Sequence, residues 1–448
     1  MSRALFALLV AAAPATAAPN VVFICSDDQR ADTVAALGNR HIRTPALDRM
    51  ARDGFAFTNA YCMGSTQPAV CVPSRAMFLT GRSLFRVNDQ LRDLPTWPET
   101  FRRAGYHTFG VGKWHNGPAS FARSFDAGGP VFFGGMSDQN KVPVHPFDPS
   151  GAYPKTNLRT GSEYSTTMFG DAAVRFLTDY RGEKPFFLYL TFTSPHDPRT
   201  PPARAEKQYD PATLPLPRNF LPRHPFDNGE LAVRDEKLLD RPLAEADLRR
   251  ELAAYYAMIS HVDSQVGRVY EALARRDVLR NTIVIFASDH GLALGSHGLL
   301  GKQNLYEHSM KAPLLMTGPG IPAGGRSAAF VYLFDLFPTV AEWCDVKPPA
   351  GVDGRSLLGV VAGRQAGVRE SVFGAYRDVQ RSVRTARWKL IRYPKIDRTQ
   401  LFDLRADPDE MHDLSADAAH AATLREVLDR LRAEQRNYDD PLSRPPGK

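Results

Sequence analysis

Cys71-Val72-Pro73-Ser74-Arg75-Ala76-Met77-Phe78-Leu79-Thr80-Gly81-Arg82 is the stretch around which the rest of the chain is arranged. The ring of Pro73 fixes φ near the value of a first helical turn, and Ala76 to Leu79 are acceptable helix formers, so a helix is predicted to begin here. Cys71 then stands at the helix N-terminus. Unpaired N–H groups and the positive end of the dipole favour an anion there and lower a thiol's pKa. Arg75 follows one turn later, with a guanidinium fork able to reach back to the same spot. Taken alone, the stretch also fits a blander reading, a buried or disulfide-bonded cysteine beside a solvated arginine.

Working outward, Asn20-Val21-Val22-Phe23-Ile24-Cys25 is a continuous apolar run that reads as a buried parallel strand, and it ends in Ser26-Asp27-Asp28. Adjacent carboxylates repel unless a cation neutralises them, so a metal is the natural explanation, although Asp after a strand also serves as a turn or cap. The layout recurs. Tyr106 to Val111 runs into Lys113-Trp114-His115, Pro185 to Phe192 into Ser194-Pro195-His196, and Thr282 to Ala287 into Ser288-Asp289-His290. In an open parallel α/β sheet, sites form outside the carboxyl ends of the strands, so these endings are expected to share one crevice. Apolar residues from Leu248 to Leu273 recur at steps of three and four and predict a helix over 245–275, with a shorter one over 166–180. The Pro-rich, charged interval 199–241 and the segment 133–149 read as loops around the crevice. A glycine-rich stretch, Gly295 to Glu307, carries a second lysine, Lys302. A strand over 312–316 and a helix from Leu333 follow. Past residue 365, short antiparallel strands over 371–376, 381–385 and 389–393 and a closing helix over 418–435 suggest a smaller subdomain.

The expected fold class is therefore α/β, a large mostly parallel mixed sheet flanked by helices over 19–365, with an α+β subdomain containing a short antiparallel sheet over 366–448. The 448 residues, 43% hydrophobic and 23% charged, are enough for a large core and argue against general disorder. A net charge of +7 suits an anionic substrate, and the absence of a Lys/Arg run interleaved with aromatics speaks against nucleic acid. Residues 1–18 read as a signal peptide: Arg3, the apolar run Leu5 to Ala13, then Ala15-Thr16-Ala17-Ala18. That run is too short to span a membrane, and no later one is long enough, so an exported protein, periplasmic or secreted, is expected. Cys25, Cys62, Cys71 and Cys344 would permit two disulfides in such a compartment.

The Cys71 stretch resembles the signature of the type I sulfatases, Cys (or Ser)-x-Pro-Ser-Arg followed by Leu-Thr-Gly-Arg, with every defining position filled. The likeness extends over most of the chain. It implies an alkaline-phosphatase-like fold and conversion of Cys71 to formylglycine by a formylglycine-generating enzyme before folding. The hydrated aldehyde then supplies the nucleophilic oxygen, and Arg75 holds it in place. The resemblance also implies one calcium ion held by Asp27, Asp28, the modified Cys71, Asp289 and His290. His290 stands where the family most often has Asn. Oxygen donors suit calcium, while a ring nitrogen leaves manganese or another transition metal open. By the same likeness Lys113 and Lys302 contact the sulfate, His115 helps release it from the hydrated aldehyde, and His196 contacts the leaving oxygen. A sulfated carbohydrate is the expected substrate. The alternatives are a phosphodiesterase or phosphonate monoester hydrolase of the same superfamily and, more remotely, an inactive carbohydrate-binding homologue.

Overall fold

The computed structural model describes residues 18–443; the segment read above as a signal peptide lies outside them, apart from its last residue. Asn20–Ser26 is buried along its whole length and forms the middle of a nine-stranded sheet. It pairs in parallel with Phe186–Thr191 on one side and with Thr282–Ser288 on the other. Across the sheet the strands run Gly325–Ser327, Phe55–Tyr61, Lys311–Thr317, Thr282–Ser288, Asn20–Ser26, Phe186–Thr191, His107–Lys113, Ala127–Phe132, with Val331–Tyr332 also on Phe55–Tyr61. Lys311–Thr317 is antiparallel to both its neighbours, which makes the sheet mixed.

Successive side chains of the central strand point to opposite faces and feed two cores. Val21, Phe23 and Cys25 join Phe78, Trp97 and Phe187 on one face. Val22 and Ile24 join Leu188, Val262, Val266 and Phe286 on the other. Trp97 packs edge-on against Phe23 and Phe187 with ring centroids 4.9 and 5.2 Å apart. Each such buried side chain contributes about 1.5–3 kcal/mol through apolar burial, enough together to hold the strand ends in register. The helix Glu245–Arg275 has the bounds its periodicity predicts and covers the second face. Cys71–Thr80 and Trp97–Arg103 cover the first.

The smaller subdomain is a sheet of Val372–Tyr376, Gln380–Arg384, Trp388–Tyr393 and Arg398–Asp403 in antiparallel order, with Gly64–Ser65 added in parallel to its inner edge. The helix Ala421–Asn437 packs Val427 and Leu431 into the first core. The fourth strand of this sheet goes beyond the predicted three, and so do Phe55–Tyr61 and Ala127–Phe132 in the large sheet. Gly128, Gly129 and Pro130 hide the last of these, which survives because it lies at the sheet edge. All four cysteines are buried and free, so the disulfides that the composition would permit do not form.

Candidate active site

The carboxyl ends of the central strands meet at one place, as the sequence predicts. Asn20–Ser26 delivers Asp27 and Asp28, and Thr282–Ser288 delivers Asp289 and His290. His107–Lys113 ends in Lys113 and leads to His115, while Phe186–Thr191 leads to His196. The helix Cys71–Thr80, buried at every residue, brings in Cys71 at its first position and ends at Gly81 in the left-handed conformation (φ 69°). Gly112 is required where it stands: its φ is +101°, and a Cβ there would lie 1.7 Å from the carbonyl oxygen of Thr191. Asp28 (φ 66°) and His115 (φ 70°) also hold left-handed backbone, which costs about 1–2 kcal/mol at a non-glycine residue and marks sites the surroundings over-determine.

Cys71 Sγ lies 3.4 Å from His115 Nδ1 and 3.9 Å from Lys113 Nζ. Lys113 Nζ also donates to the Asp27 carboxylate and to the Gly135 carbonyl oxygen. Lys302 Nζ donates to both oxygens of Asp28 at 2.8 Å and meets His196 Nε2 at 3.0 Å. His196 Nδ1 faces the Asp197 carbonyl oxygen at 2.8 Å, which makes Nδ1 the protonated nitrogen and leaves Nε2 as the acceptor from Lys302. His290 Nδ1 likewise donates to the Gly291 carbonyl oxygen at 2.9 Å.

Arg75 departs from the expectation. Its Nε donates to Asp289 Oδ2 at 3.1 Å and its Nη1 to the Lys113 carbonyl oxygen at 2.9 Å, with Nη2 4.0 Å from Asp27 Oδ1. Its hydrogen bonds hold the strand ends together beneath Cys71 and do not reach Cys71 itself. A guanidinium with no exposed surface needs ionic and carbonyl partners; Asp289 and Lys113 supply them at Nε and Nη1, while Nη2 has no hydrogen-bond partner.

Burial by itself would raise the Cys71 thiol, but Lys113 and His115 beside it hold it well below the ordinary thiol range. Burial would lower His290, but the Asp289 and Asp28 carboxylates lift it to about 9. The Asp27 carboxyl is pushed up by burial, with Lys113 opposing. Asp28 is held well below the usual carboxylate range, because His196 and Lys302 outweigh its burial.

Asp27, Cys71, Asp289 and His290 offer ligand atoms that all lie within 4.8 Å of one another. Asp27 Oδ1 and His290 Nε2 are buried without any hydrogen-bond partner. An unpaired buried polar atom costs about 1–3 kcal/mol, and a cation between these two would relieve both, so the donor set fits a divalent ion. Asp28 stands at the edge of this group, with Oδ1 3.4 Å from His290 Nε2 and both oxygens turned to Lys302. A cavity of about 230 Å³ opens over Cys71, lined by His115, Met136, His196, Arg234, Lys302 and Gln303 among others. Arg234 was not singled out from the sequence, where it sits in a charged loop without periodicity.

The sequence profile described as "Sulfatase" matches residues 19–346. This chain belongs to the sulfatase family. A second profile, "N-sulphoglucosamine sulphohydrolase, C-terminal", matches residues 295–437 of the sulfatase. An arylsulfatase of Clostridium perfringens is 30% identical over 439 residues, which covers 88% of this sulfatase and 90% of that protein. An N-acetylglucosamine-6-O-sulfatase of Bacteroides thetaiotaomicron is 28% identical over 501 residues, covering 95% and 88%. A solved structure of a protein in complex with its substrate D-glucosamine-2-N,6-O-disulfate superposes with a TM-score of 0.80 at 24% identity, covering 94% of this sulfatase and 98% of that chain. The fold is thus alkaline-phosphatase-like, and the protein is a sulfuric ester hydrolase.

Proposed function

We propose that this sulfatase releases sulfate from a sulfated carbohydrate, using formylglycine made from Cys71 and one bound calcium ion. The observation that carries the reading is the meeting of Cys71, at a helix N-terminus, with Lys113, His115 and the unpaired donors of Asp27 and His290. Asp27, Asp289, His290 and residue 71 would hold the ion, with Asp28 beside them. Carboxylate oxygens outnumber the single imidazole, which favours calcium. When bound, the ion supplies positive charge against the sulfate oxygens. Formylglycine supplies a hydroxyl nucleophile and a route for expelling sulfate that a plain side-chain hydroxyl lacks.

The chain's own groups complete the chemistry. Attack at sulfur puts charge on the nonbridging oxygens and on the departing oxygen. Lys113 and Lys302 bring ammonium groups to the first, and at the second the available proton is the Lys302 N–H bonded to Nε2 of His196, whose tautomer Asp197 fixes, so that the pair together faces the departing oxygen. His115 Nδ1, next to position 71, is placed to accept a proton from the group there.

A carbohydrate is favoured by the substrate in the superposed structure, by the N-acetylglucosamine-6-O-sulfatase relative, and by the polar interval 199–241 beside the cavity. Cys71 is 2% exposed in the folded chain, so a formylglycine-generating enzyme must act before folding. The sequence pattern of residues 1–18 supports export to the periplasm or beyond. The test is sulfate release from a panel of sulfated mono-, oligo- and polysaccharides. Efficient cleavage of aryl sulfates with none of any sulfated sugar would overturn the substrate assignment.

A further inference from the structure

His196 and Lys302 come from separate irregular segments, yet both are tied to one tripeptide of the 199–241 interval, Arg234-Asp235-Glu236. Arg234 donates through both Nη atoms to the two oxygens of Asp197, the residue whose carbonyl fixes His196. The same Nη2 donates to Asp235 Oδ1 at 2.6 Å. Asp235 Oδ2 accepts from Gln303 Nε2 at 2.9 Å and lies 4.0 Å from Lys302 Nζ. Glu236 accepts the backbone N–H groups of Leu300 and Gly301 at 2.9 and 2.8 Å, which fixes the loop carrying Lys302. Asp197, Asp235 and Glu236 are buried, whereas the Arg234 side chain is 45% exposed at the cavity wall.

We propose that Arg234, backed by Asp235 and Glu236, is a positioning residue that holds His196 and Lys302 in mutual register at the leaving oxygen. The inference rests on the reading above that this pair serves the leaving group. As the sulfur–oxygen bond breaks, the electron pair stays on the departing oxygen, and the proton that Lys302 Nζ donates to His196 Nε2 is passed on to that oxygen, leaving Lys302 a neutral amine and His196 in its starting tautomer. Register matters because that proton must arrive within hydrogen-bond reach. Only a forked guanidinium spans Asp197 and Asp235 at once, so lysine is not an equivalent replacement.

The test uses the full-length modified enzyme, its Arg234→Lys and Arg234→Ala variants, and a series of sulfate esters from 4-nitrophenyl through phenyl to a simple alkyl sulfate. Protonation matters little for an acidic phenol and greatly for a poor leaving group. We expect kcat to fall about tenfold or more on the phenyl and alkyl esters and only a few-fold on the 4-nitrophenyl ester. Added guanidinium should restore part of the loss in Arg234→Ala. An equal loss along the series, a change in KM alone, or unchanged kinetics would overturn the proposal. Failure of both variants to fold would also overturn it, since Arg234 would then be a structural residue. His196→Ala separates the two levels: a flat dependence on leaving group in that variant sinks the assignment of His196 itself, whereas a steep one there with a flat one in Arg234→Ala sinks only this inference.

Discussion

Mild acid is expected to loosen the seam between the glycine-rich stretch and the C-terminal sheet. His297 stacks on Tyr306 with ring centroids 3.9 Å apart and an interplanar angle of 9°. Its Nε2 faces the Glu410 carbonyl oxygen at 3.0 Å and so carries the proton, which makes Nδ1 an acceptor. His308 Nε2 donates to that Nδ1 at 3.1 Å, and His308 Nδ1 accepts from the Ser309 hydroxyl at 2.9 Å. His224 Nδ1 donates to the His297 carbonyl oxygen at 2.8 Å. The bonding therefore fixes His297 and His308 as neutral tautomers, and a further proton on His297 would set two donors face to face. Burial takes His297 and His224 down to about 4, and His308 well below the ordinary range. Between pH 6.5 and 4 the unfolded chain binds more protons than the folded one, so stability is full above 6.5 and is lost as pH falls through this window. For His297 alone, a shift from 6.5 to about 4 corresponds to roughly 3 kcal/mol. The contributions of the rings do not add, since they share bonds. Glu410, pushed up to about 7 by burial with Lys389 opposing, acts with the opposite sign. The measurement is therefore a difference: melting temperatures of wild type and His297→Gln by calorimetry from pH 7.5 to 4. The gap between them should narrow by the equivalent of about 3 kcal/mol. Parallel curves over the whole window would refute the reasoning.

Exhaustive chelation should abolish sulfate release and lower the melting temperature, because Asp27, Asp28 and Asp289 lose the cation that holds them together, and Asp289→Ala should do the same to activity. Activity and melting temperature both unchanged would remove the metal from the site. Specific activity should track the fraction of chains carrying an aldehyde at position 71, measured by mass spectrometry of the tryptic peptide ending at Arg75; fully active protein with an unmodified Cys71 would rule the mechanism out. Arg75→Ala should cost about 3–5 kcal/mol in chemical denaturation, since it strips Asp289 of a buried ionic partner. A loss under about 1 kcal/mol would mean that Arg75 is not the brace its contacts describe.

The strand endings were legible because apolar run and chemistry are adjacent in the chain. Val21 to Cys25 can only be a strand buried on both faces, and whatever follows it must emerge at the carboxyl edge, as Asp27 and Asp28 do. The same logic placed Lys113, His196 and Asp289. It had no purchase on Ala127–Phe132, where a Gly-Gly-Pro sequence reads as a turn, or on Gly64–Ser65, which is too short for any pattern. Nor could it find Arg234. That side chain takes its meaning from Asp197, 37 residues earlier, and its neighbour Asp235 from Gln303, 68 residues later.

Arg75 shows why spacing alone misleads even when the motif is read correctly. One helical turn separates it from Cys71, so reach was never in question; what the sequence does not show is who competes for the guanidinium. With no exposed surface, Arg75 gains most where a carboxylate and a carbonyl can both accept, and the folded chain offers these in Asp289 and Lys113. The consequence reaches the nucleophile. With Arg75 engaged below, Lys113 and His115 are the first neighbours that draw the Cys71 thiol down, and a hydrogen bond from His290 adds to them. The arginine of the motif thus acts on position 71 through the strand ends it clamps, since its Nη1 bond to the Lys113 carbonyl fixes the backbone from which both Lys113 and His115 are presented.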